Sequence, residues 1–395
     1  MKILYLSYFS SPEVFQKISD AGLCPSEARQ NYEAALIKNL LADPERARDL
    51  TVVSYLPYCK ALGKVPSEDE YLGKKLHYVW TRRNSVLDIL KAMRGVKRLV
   101  KEWLQATEGQ ERVILTYAAN PILLQPIARV MKQVKVVTVC SEVPRYRNMT
   151  EGSKLLNAIK KKVFTYYNGK MRGYIYMSEH MNEVCNKKGA PWIVVEGMTQ
   201  IPPLGEREPK MQECVFYAGG LHVENGIDVL LDAIVMLNEA REEKVLLQLC
   251  GIGNAEQKIK EYVKRYDFIQ YLGVLPNQEI RALEKRATLL INPRRPDQLL
   301  TKYSFPSKTF EYFSSGTASV LTELQGIPSE FYEYCYTCRV DSAEILAQDL
   351  KAVLSIPLAQ REELATRAHD FLCREKSAQM QTKRILVFLE QLSKS

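Results

Sequence analysis

The residues with most to say about chemistry stand where short apolar runs end. Gly219-Gly220-Leu221 follows the run Cys214–Ala218, Gly251-Ile252-Gly253-Asn254 follows Val245–Cys250, and Pro293-Arg294-Arg295 follows Ala287–Asn292. If such runs are strands of an open α/β sheet, ligands belong beyond their carboxyl ends. Glycine and arginine gathered there predict one anion-binding cleft. After the glycine pair, Ile227, Leu230, Leu231 and Ile234 fall at i, i+3, i+4 and i+7, the apolar face of a helix. Glycines at a strand–helix turn let the backbone approach a ligand, and the helix start offers unpaired N–H groups to a phosphate. A tight turn with no ligand is the other reading of the pair. Gly251-Ile252-Gly253 is a weaker signal, lacking the third glycine of a dinucleotide fingerprint.

The strongest pattern runs from Thr301 to Thr317, TKYSFPSKTFEYFSSGT. Pro306 suits the first turn of a helix, Ser304 and Ser307 are cap candidates, and Gly316 suits the helix end. Glu311 then lies one turn beyond Ser307. A carboxylate there can accept both hydroxyls of a ribose while the helix start and Lys308 hold a diphosphate. A solvated helix carboxylate is the alternative.

The elements that must position these residues are legible as alternation. Strands are predicted at Lys2–Ser7, Leu50–Tyr55, Leu76–Trp80, Arg112–Thr116, Lys135–Cys140, Gly173–Met177 and Trp192–Glu196. Several are apolar throughout, as strands buried on both faces should be. The intervening stretches are long enough for crossover helices, which gives a doubly wound α/β domain. Gly197, Pro202, Pro203, Gly205 and Pro209 then break the pattern with linker composition. A second series follows at Cys214–Ala218, Val245–Cys250, Ile269–Leu272, Ala287–Asn292 and Ala318–Thr322, and Arg361–Leu392 reads as helical throughout. The expected organisation is two Rossmann-like domains in tandem, 1–200 and 212–374.

A chain of 395 residues with 26% charged and 46% hydrophobic residues is neither disordered nor fibrous. No apolar run approaches a membrane span, and Met1–Ser7 reads as a buried strand rather than a targeting segment. Nine scattered cysteines argue against a disulfide framework and for a reducing cytoplasm. Cys335-Tyr336-Thr337-Cys338 is a lone CxxC, read as structural. Residues 1–200 hold 31 Lys/Arg against 19 Asp/Glu, whereas 201–395 carry a slight acidic excess. The first half therefore faces something anionic; nucleic acid, anionic lipid and a phosphorylated acceptor all fit the charge. Lys160-Lys161-Lys162 lie on a helix whose apolar side is Leu155, Leu156, Ile159, Val163 and Tyr166-Tyr167, and Lys91, Arg94, Lys97, Arg98 and Lys101 make a second basic helical face. Both are either solvated faces or docking surfaces for an anionic cytoplasmic leaflet. Nucleic acid fits less well, since no recognition motif accompanies them.

Phe305-Pro306-Ser307-Lys308-Thr309-Phe310-Glu311-Tyr312-Phe313-Ser314-Ser315-Gly316 resembles the retaining glycosyltransferases of family 4, which have the GT-B fold, and most of all the bacterial capsule and surface-polysaccharide branch. Phe216-Tyr217-Ala218-Gly219-Gly220-Leu221, Tyr271-Leu272-Gly273-Val274-Leu275-Pro276, Glu375-Lys376-Ser377 and the opening stretch with Pro25-Ser26-Glu27-Ala28 are similar too. The resemblance implies two Rossmann-like domains facing a central cleft, with residues 375–395 crossing back to the first. It implies a nucleotide-sugar donor on the second domain, expected to be UDP-linked and a substrate rather than a cofactor. A glycan or polyprenyl-linked acceptor would lie on the first. Transfer would retain anomeric configuration without a metal. By position, Glu311 would bind the ribose hydroxyls, Ser304 to Ser307, with Phe305 and Pro306 between them and Tyr303 beside them in the donor site, would hold the diphosphate and sugar through backbone N–H groups, and the Tyr271–Val274 turn, with Leu272, would receive the base.

Three departures stand out. The first of the family's two glutamates is Tyr303 here, its arginine after the glycine is Gly220, and its lysine before Gly226 is Asn225. Arg294, Arg295 and Lys308 are the substitutes at hand, Arg294 first because it directly follows a strand end; a loop arginine is its other reading. Glu142, in Val139-Cys140-Ser141-Glu142-Val143-Pro144, matches the place where related enzymes keep a His or Asp by the donor sugar. It is expected to hold the acceptor or a sugar hydroxyl, or else to be a cap. A GT-B sugar epimerase and a catalytically degenerate binding protein are the alternatives to transfer.

Overall fold

The computed structural model describes residues 1–21, 26–43, 49–57, 63, 66–81, 85–143, 154–205, 208–211, 213–239 and 241–394. Pro25 and Pro144, and the side chains of Leu155, Leu156 and Lys160, lie outside the described residues. The chain divides into two compact units, Met1–Gln200 with Ser377–Ser395, and Ile201–Lys376. Among the described residues no helix is long and apolar enough to cross a membrane.

The first unit is built on β1 (Lys2–Ser7), β2 (Leu50–Leu56), β3 (Glu68–Tyr71), β4 (Lys74–Trp80), β5 (Arg112–Tyr117), β6 (Lys135–Cys140), β7 (Gly173–Tyr176) and β8 (Trp192–Val194). They form one sheet in the order β3-β4-β2-β1-β5-β6-β7-β8. Every pair is parallel except β3 with β4. Strands such as KILYLS and KVVTVC are buried along nearly their whole length, because helices cover both faces. Those helices are α1 (Pro12–Asp20), α2 (Glu27–Leu41), α3 (Val86–Ala106), the short α4 (Pro121–Leu124), α5 (Lys154–Asn168) and α6 (Met181–Cys185). Ser11, Ser26 and Ser85 cap the first three by accepting from N–H groups three residues on. β1 has β2 on one side and β5 on the other, so its carboxyl end is the point where strand order reverses.

The second unit holds β9 (Cys214–Ala218), α7 (Ile227–Glu239), β10 (Leu246–Cys250), α8 (Glu256–Arg265), β11 (Ile269–Tyr271), α9 (Asn277–Arg286), β12 (Leu289–Asn292), α10 (Leu299–Lys302), α11 (Ser307–Ser315), β13 (Ser319–Thr322), β14 (Tyr336–Cys338), α12 (Ala343–Leu354) and α13 (Leu358–Phe371). Its sheet is parallel throughout, in the order β11-β10-β9-β12-β13-β14. Alternate residues of β9 face opposite ways. Val215 and Tyr217 join a core with Leu230, Ile234 and Leu350, and Phe216 and Ala218 join one with Phe310, Phe313 and Phe371. Here the reversal point is the carboxyl end of β9, between β10 and β12.

The run expected to be continuous helix from Arg361 to Leu392 consists of α13, a π-helical turn at Leu372–Lys376 and α14 (Ala378–Lys394). α14 belongs to the first unit. Ile385, Leu389 and Leu392 are buried there, Gln381 Nε2 donates to Glu196 at 2.8 Å, and Lys135 Nζ donates to the carbonyl of Leu392 at 2.6 Å.

Candidate active site

Gly219 and Gly220 leave β9 at the reversal point of the second sheet. Gly219 has φ 148° and Gly251, at the end of β10, has φ 130°, backbone conformations that a side chain opposes. A Cβ on Gly219 would meet the Lys308 ammonium, and one on Gly251 would meet the carbonyl of Gly219. Gly251 has no room for a side chain, and at Gly219 a side chain would have to displace the end of Lys308 from a backbone conformation that already disfavours it. The next carbonyl, that of Gly220, is fixed twice, accepting from Tyr217 Oη at 3.0 Å and from Asn225 Nδ2 at 2.7 Å. Asn225, standing where a lysine was expected, thus closes the loop on itself. The same loop is tied to the end of β10: the Val223 N–H donates to Asn254 Oδ1 at 2.9 Å, and Asn254 Nδ2 donates to Glu224 at 3.2 Å.

α11 rises beside this turn. Pro306 precedes it in an extended conformation (φ −71°, ψ 118°) instead of occupying its first turn, and no side chain caps it. The expectation that Ser304 or Ser307 caps the helix is therefore corrected. Ser304 Oγ donates to the carbonyl of Leu300 at 2.8 Å, and Ser307 Oγ donates to Glu311 Oε1 at 3.2 Å. An uncapped first turn keeps its donors for an anion. Gly316 ends the helix in the left-handed region, as expected.

Lys308, in the first turn, donates through Nζ to the carbonyl of Ala218 and lies 5.2 Å from the Tyr217 ring centroid. Burial lowers its pKa, and Glu311 and Glu284 oppose the shift. Arg294 is half-buried, its pKa also lowered by burial and raised by Tyr217. The Tyr217 hydroxyl is in turn raised, first by burial, and feels both Arg294 and Glu311. These mutual fields bring Tyr217, Arg294, Lys308 and the exposed Glu311 into one cluster at the end of β9.

Arg295 takes a different place: its Nη2 lies 2.8 Å from Asp228 Oδ2 at the start of α7. Phe305 is half-buried and packs its ring against the core, 5.2 Å from Phe310 and 5.1 Å from Phe331. Tyr303 ends α10, and Leu272 donates from its N–H to Leu249 at 2.9 Å, half-buried beside Gly251 and Gly273. Glu142 belongs to the first unit, exposed just past β6, where its carbonyl accepts from Cys140 Sγ. Glu284 escaped sequence reasoning. It is buried on α9, and burial with the field of Glu311 raises its pKa to about 7, against Lys308 and Arg281. The signal was its place with Ile280, Leu283 and Ala287 on one helical face. Among the described residues no group of three His, Cys, Asp or Glu side chains is placed to hold a metal ion.

The family model for glycosyl transferases group 1 matches residues 212–355. The comparison with curated proteins gives no match. Among solved structures the chain is similar to a sucrose-phosphate synthase from Thermosynechococcus elongatus, at 13% identity and TM-score 0.62 over 99% of each chain. It is similar to a UDP-forming α,α-trehalose-phosphate synthase from Burkholderia xenovorans in complex with glucose-6-phosphate, at 13% identity and TM-score 0.62 over 99% of this chain and 100% of that one. An α,α-trehalose 6-phosphate synthase from Burkholderia multivorans follows at 11% identity and TM-score 0.62, covering 100% of this chain and 97% of that one. Two Rossmann-like units on sheets parallel but for the β3 edge, matched along their whole length by these structures, give the chain the GT-B fold, with the glycosyl transferases group 1 match falling on the unit that carries the Gly219–Lys308–Glu311 cluster.

Proposed function

We propose that the protein is a retaining glycosyltransferase that moves a sugar from a nucleotide-sugar donor, UDP-linked, to a glycan or lipid-linked acceptor in bacterial surface-polysaccharide synthesis. The observation that carries the reading is the uncapped start of α11 beside Lys308, Arg294 and Glu311 at the reversal point of the second sheet. In it, α11 and Lys308 hold the diphosphate, Glu311 accepts from the ribose hydroxyls, and Arg294 meets the charge that develops on the leaving phosphate. The turn at Leu272 and Gly273 takes the base. The acceptor hydroxyl attacks the anomeric carbon on the face the phosphate leaves, and its proton passes to the departing phosphate oxygen. Glu142 holds a hydroxyl of the acceptor or of the donor sugar. No divalent cation is required, because these side chains and the helix start meet the diphosphate charge. The UDP-forming activity named for the Burkholderia xenovorans relative favours UDP.

A thermal-shift screen of UDP-, GDP-, ADP- and CMP-sugars identifies the donor. Glu311→Ala and Arg294→Ala are each expected to lower turnover by about 10²-fold or more, with EDTA without effect. Full activity in both variants overturns the site, and loss of activity in EDTA overturns the metal-independent mechanism. A second reading is donor binding without turnover. It draws on Gly220 and Asn225, uncharged and engaged with each other where the family pattern has cations. A donor that stabilises the protein but is never consumed, with any acceptor, would favour it.

We further propose peripheral attachment to the inner face of the plasma membrane. On α3, Val86 and Leu87 are each 71% exposed, and exposed Lys91, Arg94, Lys97, Arg98 and Lys101 continue the same face. Apolar residues followed by cations suit an anionic bilayer surface. Lys161 and Lys162, on α5, add to the charge.

A further inference from the structure

The first unit has a cavity of its own at its reversal point. It measures about 170 Å³ and is lined by Tyr8, Ser26, Arg29, Tyr117, Ser141 and Glu142, beyond the carboxyl ends of β1, β5 and β6. That is smaller than the roughly 300–1,000 Å³ of a site for a drug-sized ligand, and suits one sugar unit rather than a chain.

Its cation is built in. The Arg29 guanidinium lies over the Tyr8 ring, 4.5 Å from the centroid. Tyr8 is held at both ends, its N–H donating to Glu33 Oε1 at 3.2 Å and its hydroxyl accepting from Asn120 Nδ2. Gln30, the next residue of α2, is fastened to Ser10 by two hydrogen bonds, at 3.3 and 2.6 Å. Among the described residues no carboxylate lies within ion-pair distance of Arg29. A guanidinium stacked by its face keeps the N–H groups of its edge, the fork that matches a carboxylate or phosphate. The one carboxylate among the described lining residues, Glu142, stands on a different element, past the end of β6. Opposite charges in a small cavity orient a ligand: an acidic group goes to Arg29, and a hydroxyl goes to Glu142. Ala118, also in the wall, holds φ 59° without being glycine, fixed by its N–H donating to Val139 at 2.9 Å and by Thr116 Oγ1 donating to its carbonyl at 3.1 Å. Strain of this kind persists where surroundings over-determine it, often at ligand clamps. The excess of 31 basic over 19 acidic residues in 1–200 has the sign such a ligand needs.

We propose that this cavity binds the acceptor through an acidic substituent on a sugar, a phosphate or carboxylate held by Arg29, with a hydroxyl of the same sugar turned to Glu142. The proposal rests on the glycosyl-transfer reading but is tested apart from it. Binding of glucose 6-phosphate, glucuronate and glucose to the full chain is measured by calorimetry, and binding of UDP is measured alongside. The acid sugars are expected to bind and glucose to bind at least tenfold more weakly; the stronger of the two acids tells phosphate from carboxylate. Arg29→Gln is expected to weaken the acid sugars at least tenfold and leave UDP binding intact, which also shows that the variant is folded. Arg29→Lys is expected to restore part of the loss, and Glu142→Ala to weaken the acid sugars several-fold by removing the acceptor of the sugar hydroxyl; unchanged affinity in Glu142→Ala overturns the Glu142 contact. Glucose binding as tightly as the acids, or Arg29→Gln without effect on them, overturns the proposal. Failure of UDP alone overturns the donor site and leaves this cavity standing.

Discussion

At the scale of the residue, the proposed donor site is a problem of charge held close to backbone. Lys308 keeps its ammonium on the carbonyl of Ala218 under a glycine that has no Cβ to displace it. Lys308→Met is expected to lower turnover about 10²-fold while circular dichroism stays unchanged. Glu284 sets a pH dependence on the same site. Its carboxyl, raised to about 7, is neutral in mild acid and ionised above neutrality, where it would add negative charge near the proposed diphosphate position. UDP affinity is therefore expected to fall as pH rises through about 7, and titration calorimetry of Glu284→Gln should show that bend removed. Sequence pattern placed Glu311 and Lys308 because a helix start after a strand end is local information. It could not place Glu284, whose burial comes from α11 packing against α9, nor show that Asn225 serves Gly220.

At the scale of the element, apolar runs fixed most strands to within a residue or two, since a strand buried on both faces must be apolar wherever it begins and ends. The exceptions have physical causes. β3, of sequence EDEY, is an antiparallel edge strand with exposed positions, so its pairing with β4 rather than its own composition makes it a strand. β14 is only three residues long and coincides with the Cys335–Cys338 pair, both buried. The helix ends at Ser307 and Gly316 were legible, but the cap was not: Pro306, with no N–H to donate, sits just outside a helix that no side chain closes. The α3 surface yields a prediction at this scale. Lys91→Glu with Arg94→Glu is expected to reduce co-sedimentation with anionic vesicles several-fold, as is neutralising Lys160 to Lys162; unchanged sedimentation in both would remove the membrane proposal.

At the scale of the molecule, each unit buries a glutamate that resists ionisation, Glu33 in the first and Glu284 in the second. Burial raises Glu33 to about 7 from an ordinary 4.5, against Arg29 and the donors Tyr8 N–H and Tyr5 Oη. A group with a raised carboxyl pKa holds its proton more tightly folded than unfolded. The contribution of Glu33 to stability is thus greatest below about pH 4.5, falls as pH rises toward 7 and then levels, by roughly 3 kcal/mol for such a shift. Urea melts of Glu33→Gln between pH 5 and 8 should lose this slope, since the amide keeps an acceptor for Tyr5 and Tyr8 and does not titrate.

The return of α14 to the first unit carries one more consequence. Thr199 and Ser377 pair as a parallel bridge, and the Ala378 N–H donates to Thr199 at 3.0 Å, so the chain leaves the first unit and re-enters it side by side. During synthesis residues 1–200 precede 201–376 yet lack a wall of their hydrophobic interior until α14 appears, whereas every element of 201–376 is contiguous in the chain. The later unit should mature earlier, and a chain truncated after residue 376 should show protease resistance confined to 201–376.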